Sequence, residues 1–427
     1  MMSSRERVMT TLAHEEPDRV PIDLGGSAVT GMHVSVVYGL RQALALDPPE
    51  TPVKVVEPYQ MLGEIKPDLM DALGIDVVGL SSPTTMFGFR NEGWKPWTTF
   101  DGTPVLVPEG FNTDVDANGD LYLYPEGDKS VPPSGQMPAG GWYFDATRRQ
   151  PPIDDADLNV EDNLEEFEPI SDVDLAYYAE TSARLFEETD KAILANFGGT
   201  GFGDIALVPA PWLKDPKGIR DVEEWYISTV TRKDYVKAIF EAQCEIGLEN
   251  LARIHEVVGE RVAAIMVTGT DFGTQRGPFI SRRTYRDLYL PYHARVNDWI
   301  HTNTTWKTFI HSCGSVRQLI PDFIEAGFDI LNPVQCSAAD MDPAALKRDF
   351  GRDLVFWGGG VDTQKTLPFG TPEEVREEVR ERVRIFGPGG GFLFNTIHNV
   401  QPLSPVVNVL AMYEAVREAG RYPIAEG

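Results

Sequence analysis

Basic residues and cysteines are both scarce in this chain. Against 65 aspartates and glutamates stand only 38 lysines and arginines, a formal net charge of -27 over 427 residues. So acidic a protein repels nucleic acid phosphates and anionic membrane surfaces, which excludes both as expected partners. Three cysteines in so long a chain argue against a disulfide framework and for a reducing compartment. No apolar run is long enough to span a bilayer, and MMSSRERVMTTLAHEEPDRVP at the N-terminus lacks the apolar core and cleavage site of a secretory signal. A cytoplasmic protein is the expectation. Its oligomeric state is left open, a homodimer included.

What is present is ordinary for a globular protein, with 42% hydrophobic and 24% charged residues. The length allows one barrel-sized domain with an insertion, or two or three smaller domains. Residues 5–14 have the pattern of a short helix and lead into an apolar run, 20–24, that stops at Gly25-Gly26. Helical spacing follows over 34–46 and again from about 58 to 73, before a second strand at 77–80.

Between about 82 and 162 the composition turns to Gly, Pro, Asp and aromatics. Its Trp94, Trp97, Trp142, Tyr143 and Phe144 need a surface to pack on, so the stretch is a β-rich insertion and not a linker. Within it Asp114, Asp116, Asn118 and Gly119 imitate the start of a calcium loop, but Pro125 stands where the closing glutamate belongs. Asn118-Gly119 is the better match to a type I′ hairpin turn.

Beyond the insertion strands and helices alternate. Strands are expected at 192–197, 263–267, 305–311, 329–334, 354–357 and 392–396, and helices at 173–188, 235–258, 281–300, 316–326, 343–350, 371–386 and 405–419. Ser281 caps its helix and Pro291 should bend it; Thr371-Pro372-Glu373-Glu374 is the clearest helix start in the chain. About eight strands, each followed by a helix, predict a (β/α)8 TIM barrel: one domain over 1–427, with the 82–162 insertion after the second strand. A doubly wound open sheet is the competitor. The strand count favours the barrel, as do the polar residues that recur at strand ends: Asp23, Asn196, Asp271, His311, Cys313, Gln335, Cys336, Asp362 and His398. In a barrel all of these face one mouth, where active sites of the fold lie.

The stretch of greatest chemical interest is TWKTFIHSCGSV, 305–316. Residues i and i+2 of a strand point the same way, so His311 and Cys313 look out together from one strand end. Imidazole and thiolate are preferred zinc ligands. Taken alone, the pair is read more readily as a packed thiol beside a structural histidine, because short motifs recur by chance. The other strand ends strengthen the metal reading. A catalytic zinc takes three protein ligands and keeps one position open, and the expected set is His311, Cys313 and His398, with Cys336 the alternative third ligand. Asp271 is a candidate fourth ligand or supporting partner. Cys336 follows an apolar run and is read first as a packed thiol, and Asp362 can equally cap its loop. Cys244 lies inside a helix and is structural, and His14, His33, His255, His293 and His301 lack ligand spacing.

Five segments together resemble one family: RERVMTTLAHEEPDRVPI near the N-terminus, LGIDVV at 73–78, FIHSCGS, DILNPVQ, and FNTIHNVQP near the end. These are similar to the uroporphyrinogen decarboxylase superfamily, which also contains zinc- and cobalamin-dependent methyltransferases. Porphyrinogen decarboxylases of this kind carry an arginine-rich segment after the first strand to hold substrate carboxylates. Here there is no arginine between Arg19 and Arg41, so that substrate is not expected. The methyltransferase branch binds zinc through H-x-C and a later cysteine near the last strand; His311 and Cys313 match, and His398 stands where the cysteine is expected. The resemblance therefore implies zinc-dependent methyl transfer between a small methylated substrate and cobalamin supplied by a separate corrinoid protein, with Asp271, Gln335 and Asp362 as candidate catalytic residues. One thiolate with two imidazoles leaves more positive charge on zinc than two thiolates do, which suits an O- or N-methyl substrate. The alternatives are a metal-independent decarboxylase or lyase using Asp23, Asp362 and His398 to manage protons, and a non-catalytic binding protein on the same barrel.

Overall fold

The computed structural model describes residues 2–424. Seven apolar runs form parallel strands hydrogen-bonded in chain order: Val77–Ser81, Ala192–Asn196, Ala264–Thr268, Lys307–His311, Ile330–Asn332, Val355–Trp357 and Phe392–Leu393. Residues 20–24 close the ring. Asp23 N donates to Phe394 O (2.9 Å), Phe394 N to Pro21 O (2.8 Å) and, on the other side, Asp76 N to Ile22 O (2.8 Å). The chain is a (β/α)8 barrel, as the strand count predicts.

Alternation along each strand sends one set of side chains inward and the next outward. Leu194, Met266, Phe309, Val355, Trp357 and Leu393 fill the interior, while Ile193, Ile265, Ile310, Leu331 and Phe356 join the larger core beneath the helices. Val8 and Leu12 belong to the interior cluster. The first helix, Ser4–Leu12, started by a Ser3–Glu6 capping box, therefore stoppers the N-terminal end of the barrel. Only the end where the strands finish is left for a site.

That stopper is pinned electrostatically. Asp76 is fully buried; it accepts from Arg7 Nη1 (2.7 Å), Arg19 Nη1 (2.7 Å) and Ile22 N (2.8 Å), and Asp18 takes the Nε of Arg7 (2.6 Å).

The expected helix ends hold at Thr371, whose capping box with Glu374 opens Pro372–Phe386, and at Ser281. Pro291 does more than bend its helix. The chain breaks at Tyr289 into Arg282–Leu288 and Leu290–Asn303, with the proline in the first turn of the second piece. The helix expected from 58 begins only at Pro67; Val53–Glu57, rich in β-branched residues, is a strand, and the Glu57 carboxylate turns the chain by accepting from Tyr59 N (2.9 Å) and Gln60 N (2.7 Å). A helix at Val222–Thr231 was not anticipated.

Two small sheets occupy most of residues 95–146. In one, Pro104–Val107 pairs with Lys95–Thr98 and with Val53–Glu57; the other is an antiparallel meander from Thr113–Val115 to Asp145–Ala146. The turn at Asn118-Gly119 is not type I′, since only Gly119 has positive φ (89°). Gly119 N donates to Asp116 O (3.1 Å) and Asp116 N to Asp120 O (3.0 Å), a type I turn followed by a glycine bulge. No helix among the described residues is long and apolar enough to cross a membrane.

Candidate metal centre

His311 ends the fifth strand and Cys313 follows two residues on, with the Cys313 Sγ 3.4 Å from His311 Nε2. His398 arrives from the loop beyond the eighth strand. One ligand atom from each of the three lies within 4.8 Å of the others. The residues singled out from the sequence as a ligand set are thus brought together, with the imidazole centroids 5.3 Å apart.

Neighbouring strands hold each group in place. In the parallel ladder His311 pairs with Asn332, and their side chains meet: His311 Nδ1 lies 2.6 Å from Asn332 Oδ1. The Asn332 amide nitrogen donates to Trp357 O (2.7 Å), so its oxygen must accept from Nδ1–H. That fixes the tautomer and leaves the Nε2 lone pair facing Cys313. Replacing Asn332 with alanine removes this orientation. We expect metal affinity to fall roughly 10–100-fold with the fold intact, as read by competition with a chelating indicator.

Cys313 sits in a clasp. Its N–H donates to Asp271 Oδ1 (2.6 Å), Gly314 N donates to Gln335 Oε1 (2.6 Å), and Phe272 N donates to Ser312 Oγ (2.9 Å). Gly314 has φ 83°, and a Cβ there would come within 2.4 Å of Gly273 backbone. Alanine at 314 must strain the turn and push the two loops apart, at a cost of about 2 kcal/mol or more by denaturant unfolding.

His398 itself has φ 65°; its Nδ1 accepts from Asn399 N (2.8 Å), and its carbonyl accepts from the Thr396 hydroxyl. A metal displaces that Asn399 bond on either nitrogen, directly at Nδ1 or, at Nε2, because the ring proton then sits on Nδ1. Burial pushes the His311 ring down to about 4, and burial together with His311 lowers His398, so both imidazoles are neutral at pH 7 as ligands must be. Burial and then Asp271 hold the Cys313 thiol well above its ordinary value. Its thiolate forms only with a cation beside it. Two neutral imidazoles and a thiol at these separations suit one small divalent ion.

Other strand-end residues divide sharply. Asp271 and Gln335 belong to the cluster through the clasp, and Asp271 Oδ1 lies 3.9 Å from His311 Nε2. Asp362 does not reach it: its carboxylate accepts from Gln364 N (2.7 Å) and Lys365 N (3.2 Å) and caps its own loop. Cys336 is outside the three-residue group; it packs on the core beside Gly359, with burial pushing its thiol up to about 12. Asn196 holds Gly198 N (3.1 Å). Asp23 is fully buried and accepts from Trp357 Nε1 (2.9 Å) and Gly26 N (2.9 Å), burial raising it to about 6.

Sequence reasoning missed two residues. Asn332 stands in DILNPVQ and could have been found from its ladder position opposite His311. Asp204 follows the third strand in a loop with no periodicity, so nothing marked it. Burial and the neighbouring Asp271 push its carboxyl up to about 7, against a hydrogen bond from Ala206 N (3.0 Å).

The region read as an insertion borders the mouth. Tyr143 Oη donates to Gln401 (2.5 Å), His33 lies edge-on to Trp142 and Tyr143, and Gln60 Oε1 accepts from Asn399 beside His398 (2.8 Å).

Fold and cluster together define a (β/α)8-barrel protein with a His–Cys–His group of metal-ligand type at its open end. The chain belongs to the uroporphyrinogen decarboxylase (URO-D) family, whose profile matches residues 147–419, more than half of its length. The matched span contains all three cluster residues and leaves out the N-terminal segments of the resemblance. Among solved structures, a methyltransferase from Methanosarcina mazei shares the fold with a TM-score of 0.56 at 15% identity, over 98% of this chain and 99% of that one. No curated protein matches the sequence.

Proposed function

We propose that this protein is a methyltransferase. In this reading a zinc ion held by His311, Cys313 and His398 serves transfer of a methyl group between a small O- or N-methylated substrate and cobalamin carried by a separate corrinoid protein. The observation that supports it most is the convergence of the three ligand atoms within 4.8 Å at the open end of the barrel. When bound, zinc supplies a Lewis acid with an open position for the heteroatom that bears the methyl group.

The chain's own residues do the rest. Asn332 keeps the His311 Nε2 lone pair available, and Asp271, through Cys313 N, fixes where the sulfur stands. With Oδ1 so engaged, Asp271 has Oδ2 left to orient a substrate. Gln335 spends its oxygen on Gly314, which leaves its amide N–H groups to donate. Trp142 and Tyr143 would roof an otherwise open mouth.

The metal-independent decarboxylase reading is weaker. Asp23 and Asp362 are both occupied by backbone and indole N–H groups away from the cluster. Arg19 is spent at the barrel base and Arg41 on Asp47 and Asp68, so no arginine is free between the first strand and its helix to hold a substrate carboxylate. The test is to supply the zinc-loaded protein with reduced cobalamin and a panel of methyl ethers, methylamines and methylated thiols. Methylation of the corrinoid from an ether or amine is expected; none from any donor would overturn the reading.

A further inference from the structure

One carboxylate at the mouth has no counter-charge. Asp204, in the loop after the third strand, is only 8% exposed, yet its Oδ2 has no hydrogen-bond partner among the described residues; Oδ1 accepts from Ala206 N (3.0 Å). Gly269, just past the end of the fourth strand, approaches so closely that a Cβ there would lie 2.9 Å from Oδ2. That contact places the free oxygen at the rim between the third and fourth strands, two residues from Asp271.

Neither Asp204 nor Asp271 has a lysine or arginine within salt-bridge reach among the described residues; the bases near Asp271 are the cluster imidazoles, His311 at 3.9 Å and His398. Tyr226 lines the same wall: its Oη donates to Asp271 O (3.1 Å) and its ring stacks on Phe279, centroids 5.1 Å apart. A largely buried carboxylate without a counter-charge is costly, and a protein keeps one where a ligand repays it.

Formal charge shows what kind of ligand. Asp204 brings a carboxylate with no cationic side chain against it to a wall that also carries the ring of Tyr226, a setting that recognises organic cations.

We propose that the substrate of this mouth is an organic monocation, its ammonium group held by Asp204 while its methylated heteroatom faces His311, Cys313 and His398. The inference rests on reading the mouth as a small-molecule site above those three residues. It narrows the substrate class to methylated compounds that also carry a positively charged nitrogen, and it sets carboxylate-bearing compounds aside.

Three methyl ethers of nearly equal size test it: 2-methoxyethylammonium, 1-methoxypropane and methoxyacetate, titrated calorimetrically into the zinc-loaded protein at mildly alkaline pH. The cation is expected to bind at least about tenfold more tightly than the neutral ether, and the anion most weakly. Asp204→Asn should erase most of that preference while leaving neutral-ether binding within about twofold, and Asp204→Glu should retain part of it. A cation that binds no better than the other two, whether all bind or none does, overturns the inference in the unmodified protein alone. So does a preference that survives in a folded Asp204→Asn variant, with folding checked by thermal unfolding. Methyl transfer to reduced cobalamin is scored separately. Cation preference without transfer from any donor contradicts the methyltransferase reading and leaves this inference standing. Transfer from the neutral ether without cation preference does the reverse.

Discussion

Replacing Cys313 with alanine is expected to strip the protein of its metal. A thiolate is the strongest donor of the three and the only charged one, and the two imidazoles left behind would hold a divalent ion no better than a chance pair on a surface. Loss of affinity should exceed the roughly 10–100-fold typical of removing a supporting residue such as Asn332. Measured by elemental analysis after gel filtration, the unaltered protein should carry one zinc per chain and the variant close to none. His398→Ala should behave like Cys313→Ala. Cys336→Ala and Cys244→Ala should keep their metal, because Cys336 packs beside Gly359 outside the cluster and Cys244 is buried in the helix Lys233–Val258. Full metal content in the Cys313 variant, or its loss in the Cys336 variant, would contradict the assignment of ligands.

The second large effect lies at the opposite end of the barrel. Asp76→Ala takes from buried Arg7 its fully buried carboxylate partner, leaving it only the half-buried Asp18, and frees Arg19 and Ile22 N from theirs. Breaking a buried ion pair from one side costs about 3–5 kcal/mol, a large share of the roughly 5–15 kcal/mol that holds a typical domain together. Urea unfolding should show the midpoint falling steeply, with the metal-free protein compared on both sides so that zinc does not mask the change. A loss under about 1 kcal/mol would mean that the packing of Val8 and Leu12, with the Arg7–Asp18 pair and the Arg5 hydrogen bonds, holds the stopper helix without Asp76.

These two results probe segments that looked alike in the sequence. RERVMTTLAHEEPDRVPI and LGIDVV carry the family resemblance as plainly as FIHSCGS does, yet Arg7, Asp18, Arg19 and Asp76 meet at the closed end and serve only to hold the fold. The barrel was legible because each apolar run stops at a glycine or a polar residue, and eight such stops fall in order along the chain. His311 and Cys313 were legible because the period of a strand fixes their common direction. His398 was found from its place at the end of the closing strand.

Where the sequence leaves a side chain's role open, the residue stands at or past the last ladder bond of its strand. Position past a strand end says which end of the barrel a residue occupies, but not which way its side chain turns once the ladder stops. Asp362 turns back to its own loop, Cys336 into the core, and Asp23 towards Trp357. Val53–Glu57 was lost for a different reason: the apolar spacing of the residues after it continued without a break, and the turn is made by a side chain, Glu57, that no periodicity reveals. Asp204 is visible only once the third and fourth strands stand side by side.

The most direct test of the central claim is X-ray absorption at the zinc edge on the loaded protein. The account predicts one sulfur neighbour at about 2.3 Å and two imidazole nitrogens at about 2.0 Å, with the remaining position filled by a light atom. A shell with two sulfurs, or with none, would contradict it.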